Sequence, residues 1–119
     1  MSVFSETAKN TMLDALSVTH LQLHSADPGS NGTDNQVGSA ETGTFGSASG
    51  GERALSSNVE FTGLTGNQTV TWFSIWDGDP AGTGVFKGKG EITTGDTEAN
   101  ADGEFTLTTG TTLNLNDPV

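Results

Sequence analysis

Thr69-Val70-Thr71-Trp72-Phe73-Ser74-Ile75-Trp76 is the stretch on which the fold turns. β-Branched and aromatic residues follow one another without a glycine or proline, the composition of a strand. Successive side chains of a strand point to opposite faces, so Val70, Trp72, Ser74 and Trp76 share one face and Thr71, Phe73 and Ile75 the other. Bulky apolar groups on both faces predict a central strand covered on both sides.

Working outward, residues 18–24 alternate with period two, placing Leu21 and Leu23 on one face and His20, Gln22 and His24 on the other, as in a half-buried strand. It runs into Asp27-Pro28-Gly29, a turn signal. Downstream, residues 58–64, 84–92, 104–108 and 111–115 are short and β-prone. Between them lie turn clusters such as Asp77-Gly78-Asp79-Pro80 and Thr94-Gly95-Asp96. Upstream, Phe4, Ala8, Met12, Leu13 and Leu16 recur at three- and four-residue steps, predicting a helix within residues 1–17. Ser5 or Ser2 suits its N-cap, Glu6 suits its positive end, and Asp14 is a misfit at its negative end. The expectation is a single all-β domain over residues 1–119, a jelly-roll-like antiparallel β-sandwich with one N-terminal α-helix. A hydrophobic content of 31% and 17 glycines make its core thin.

Residues 25–57 fit this pattern poorly. Their only sizeable apolar residues are Val37, Phe45 and Leu55, set among Gly, Ser, Thr and acidic residues. The segment has too little apolar area to offset the entropy of ordering it. It reads as a long Gly/Ser-rich arm, mobile in the free protein and ordered by a partner. Phe45 is its expected anchor and Arg53 its expected polar contact, to a partner carboxylate or to Glu41 or Glu52.

Fifteen acidic residues against Lys9, Arg53, Lys87 and Lys89 give a net charge of −11, which repels phosphate backbones and anionic membranes. No nucleic-acid or membrane partner is expected. There is no cysteine, which removes disulfides and thiol chemistry. The N-terminal stretch lacks the basic and apolar regions of a secretory leader, so synthesis and assembly in a cytoplasm are expected. His20 and His24 have a helical zinc spacing, but on a strand they stand ~13 Å apart. The expected roles are structural, with His24 ordering the Asp27-Pro28-Gly29 turn. No Gly-x-Ser-x-Gly elbow marks a nucleophile. Asp77-Gly78-Asp79 opens like a calcium loop but meets Ala81 and Gly88 where ligands are needed. No enzyme activity, cofactor or metal is expected. Trp72 and Trp76 are candidate partner-binding residues, through subunit contact or as a glycan-stacking platform.

The order of helix, Leu21-Gln22-Leu23-His24-Ser25-Ala26-Asp27-Pro28-Gly29, a Gly/Asn-rich stretch, Val70-Thr71-Trp72-Phe73-Ser74-Ile75-Trp76-Asp77 and Gly84-Val85-Phe86-Lys87-Gly88-Lys89-Gly90 resembles a family of small bacteriophage virion proteins. These are often labelled tail-fibre-like or capsid decoration proteins and carry an "LHTADPG" segment, an "FGIWD" strand, a glycine-flanked hairpin and a "GDT" turn. Gly95-Asp96-Thr97 and Gly110-Thr111-Thr112-Leu113-Asn114-Leu115 look like its last features. The resemblance spans nearly the whole chain. It implies a virion component with a jelly-roll-like fold; small size, one domain and no long shaft repeats favour a decoration or minor capsid (cement) protein on the assembled shell. A tail fibre or tail tip piece and a host-glycan-binding module are the alternatives. It also implies a major capsid protein or other virion proteins as partners, and a homotrimer.

Overall fold

β5 (Trp72–Trp76) lies inside a four-stranded antiparallel sheet of order β2-β1-β5-β6, beside β1 (His20–His24) and β6 (Phe86–Glu91), with β2 (Gln36–Thr42) at the far edge. The computed structural model describes residues 4–93 and 95–114, so the expected roles of Ser2, Thr94 and Leu115 fall outside it. Phe73 stands opposite Leu23 and Ile75 opposite Leu21, which gathers four apolar side chains on one face. On the other side Phe73 meets Gly90, where an added Cβ would come 2.9 Å from the phenyl ring. A side chain there would collide with Phe73, so the glycine is a packing requirement.

Two smaller antiparallel pairs complete the core. β4 (Val59–Phe61) joins β7 (Phe105–Leu107), and β3 (Glu52–Ala54) joins β8 (Thr112–Asn114). Val59, Phe61, Phe105 and Leu107 point inward while Glu60 and Thr106 point out, the alternation of a pair buried on one face. These residues form one hydrophobic cluster with Leu21, Leu23, Leu55, Phe73 and Ile75. The described residues form an antiparallel all-β fold with a single short helix.

That helix, α1, spans Glu6–Ala15, and Ser5 caps it by accepting a hydrogen bond from the Ala8 N–H. Asp14 is no misfit, because its carboxylate accepts from the Ala48 N–H at 2.7 Å. The negative helix end is met by Arg53, whose guanidinium donates to the carbonyls of Leu13 (2.8 Å) and Leu16 (3.1 Å).

The reading of residues 25–57 as an arm without core elements is corrected. The segment supplies β2, β3 and the buried side chains of Pro28, Phe45 at 7% exposure and Leu55 at 2%. β2 needs few apolar residues because its backbone joins the β1 ladder, and the buried Gln22 amide donates to the Val37 (2.9 Å) and Gly38 (3.2 Å) carbonyls. Phe45 is therefore an anchor inside its own chain's core, not one presented to a partner. Arg53 is likewise engaged at home. Besides the two helix carbonyls it donates to Gly46 O (2.8 Å) and Phe45 O (3.0 Å), tying the arm to α1. Four carbonyls on one planar fork cannot be matched by an ammonium. Arg53→Lys is expected to destabilise the free protein by ~1.5–3 kcal/mol in urea unfolding.

Candidate functional site

Residues 21–29 and 70–77, two of the stretches quoted above, are bonded to each other. His24, fully buried, places Nε2 2.7 Å from the Ser74 hydroxyl and Nδ1 2.7 Å from the Asp34 carbonyl. The Trp76 indole N–H donates to the same Ser74 oxygen at 2.7 Å. A carbonyl only accepts, so Nδ1 carries a proton, and burial, which lowers the His24 pKa, favours the neutral ring. Ser74 then donates to Nε2 while accepting from Trp76, and every proton in the chain from Trp76 through Ser74 and His24 to Asp34 has one acceptor. His24 thus holds the far end of the loop at Asp34, and the turn at Asp27-Pro28-Gly29 is closed by Asp27, which accepts from the Gly29 N–H at 2.9 Å. The half-buried reading of β1 is corrected with it. The loop after β1 folds back over the expected solvent face, so Gln22 and His24 are both buried.

Ser74 beside His24 resembles a nucleophile–base pair in composition only. Both residues are fully buried and the serine hydroxyl is committed on both sides, so the arrangement braces the sheet. Sequence reading missed Ser74, the lone polar residue in an aromatic strand. The signal was available: once β1 pairs with β5, Ser74 and His24 share a face.

Burial holds the His24 pKa below the ordinary histidine value of 6.5, against smaller opposing effects from the Asp34 carbonyl and the Asp27 and Asp34 charges. A second proton would also turn Nε2 into a donor and take away the acceptor of the Ser74 hydroxyl proton. The unfolded chain binds this proton more readily than the native one. Its contribution to stability is therefore complete above about pH 6.5 and lost as pH falls through the lower native value. Urea midpoints are expected to drop between about pH 7.5 and about pH 5, and His24→Asn is expected to flatten that slope. Asp27 acts in a separate, lower window. Its pKa is lowered by the Lys89 ammonium, 2.6 Å away, and by the Gly29 N–H.

Trp72 and Trp76 do not form an exposed pair. Trp76 is 5% exposed and packs its ring 5.4 Å from that of Phe86, and Lys89 lies over half-buried Trp72 at 5.9 Å. A two-tryptophan stacking platform is absent, because the loop after β1 and the β5–β6 hairpin cover that face. In the hairpin Asp77 accepts from the Val85 N–H (2.7 Å) and Asp79 from the Ala81 N–H (2.9 Å), so both carboxylates shape the turn. Among the described residues no cluster of three or more acidic or histidine side chains could hold a metal ion.

A groove of about 660 Å³ lies between α1, β6 and β8. Phe73 and Ile75 floor it, and Met12, Leu16, Ile92 and Leu113 add apolar walls. It exists because β6 carries only Gly88 and Gly90 on the inner face. Among the described residues β6 is the last strand of its sheet and β8 pairs only with β3, so two strand edges border the groove. No protein-family model, curated protein or solved structure matches the chain.

Proposed function

We propose that this protein is a bacteriophage virion structural protein, a decoration or cement protein that binds the outside of the assembled shell and acts through surfaces. The observation that supports the reading is that two of the stretches on which the resemblance rests are bonded through His24, Ser74 and Trp76. Those segments then act as one brace, which accounts for their occurring together without a chemical role for either. The eight strands among the described residues, four in the main sheet and four in the two pairs, have the number of a jelly roll, and we assign the fold to that type.

The partner is a shell protein with a basic face, since the net charge of −11 favours association with a positive surface and opposes nucleic acid. Purified protein is expected to co-sediment saturably with particles lacking it and to bind more weakly as salt rises, because exposed charges are screened beyond ~8 Å at physiological ionic strength. Absence of co-sedimentation at low salt would overturn the reading.

A further inference from the structure

We propose that the exposed edge of β6 pairs with β6 of a second copy of this chain, antiparallel about a twofold axis at Gly90. The hydrogen-bond phase fixes which groups are free. The Ile92 N–H bonds the Thr71 carbonyl at 2.8 Å, so the bonded positions of the β5–β6 ladder are Ile92, Gly90 and Gly88. The N–H and C=O of Lys89 and Glu91 therefore point outward, away from β5. Among the described residues β6 pairs with no strand on that side.

Twofold pairing about Gly90 sets Lys89 opposite Glu91 of the second copy, and Glu91 opposite its Lys89. These are the two residues with outward backbone groups, so both opposed pairs exchange main-chain hydrogen bonds in phase. Their side chains share one face, giving two symmetric ion pairs of opposite sign. Lys89 already donates to Asp27, but an ammonium has three donors and can serve a second carboxylate. At the axis Gly90 meets Gly90, with no side chain to separate the strands. The axis stands perpendicular to the sheet, so the inner faces lie on the same side and two four-stranded sheets become one continuous sheet. The grooves beside β6 then face each other across the axis, which draws the half-exposed Met12 of each copy toward cover. Edge lysines usually oppose strand pairing, but a Lys two residues from a Glu is self-complementary in the antiparallel sense. The symmetry is twofold, in place of the threefold that the resemblance implies, and the pairing stands independently of the virion role.

The test is sedimentation equilibrium of the purified chain over a range of concentrations. The wild type should approach twice the 12.2 kDa chain mass. Glu91→Lys and Lys89→Glu should each weaken association at least about tenfold, as both symmetric pairs become repulsive. Mixed in equal amounts, the two variants should associate again, because each Lys then faces a Glu. Circular dichroism melts establish that each variant is folded, and Glu91→Lys alone keeps the Lys89–Asp27 pair as a folding control. A wild type monomeric at the highest concentration, a mass of three chains, undiminished association of Glu91→Lys, or failure of the mixture to associate would each overturn the proposal.

Discussion

Phe45→Ala is expected to destabilise the free protein by ~3–5 kcal/mol, a large share of the ~5–15 kcal/mol that holds a domain together. The ring is 7% exposed within the main core cluster, and nearby Gly43 runs so close to Leu21 and Val59 that no side chain fits there. The surrounding backbone is fixed by the Phe45–Leu55 bridge and by the bond from the Gly46 N–H to the Ala54 carbonyl, so the cavity left by the ring has little means of collapse. Phe45→Leu, which retains most of the volume, should cost less than ~1.5 kcal/mol. Urea unfolding of the isolated chain measures both. An unchanged midpoint for Phe45→Ala would restore the docking-arm role expected from sequence.

His24→Ala is the second large effect, at ~2–4 kcal/mol at neutral pH. The substitution strands the Ser74 hydroxyl proton and the Asp34 carbonyl and opens a void where the imidazole was fully enclosed. Because Trp76, Ser74 and His24 share one chain of donors, the loss should not add to that of Ser74→Ala. A double-mutant cycle should return a coupling of at least ~0.5 kcal/mol. Strict additivity in urea would mean that the two residues act separately.

The parts of the fold legible in sequence were those whose own side chains declare their burial. β5 carries aromatic residues on both faces, and it is covered on both. The helix declared its period and its Ser5 cap, and Leu13 is its buried contact. β4 and β7 fall within the β-prone stretches 58–64 and 104–108, and they alternate cleanly. What could not be read was structure supplied by partners distant in sequence. β2 holds one large apolar residue, Val37, and is a strand because β1 offers it a ladder. Phe45 looks isolated among Gly and Ser, yet its bridge partner Leu55 lies ten residues on. His24 was assigned to a solvent face because alternation says nothing about a loop that returns to cover that face. Arg53 was read by its charge alone, when its geometry is spent on four carbonyls of α1 and the arm.

The surface account also fixes where function can be disturbed without harm to the fold. Changes at His24, Ser74, Trp76, Phe45 and Arg53 act on stability first, so loss of particle binding in those variants would carry no information about the interface. Exposed acidic positions on the strands, such as Glu60, are the proper sites for charge reversal. Particle binding that weakens there with unchanged urea midpoints would locate the partner's basic face.

The central claim is that this chain is a structural part of a phage particle, on the head. Immunogold labelling of purified particles that encode it, imaged by electron microscopy, tests this most directly. The account predicts gold distributed over the heads of intact particles and absent from particles deleted for the gene. Gold confined to the tail, or particles without label although the protein is expressed, would contradict it.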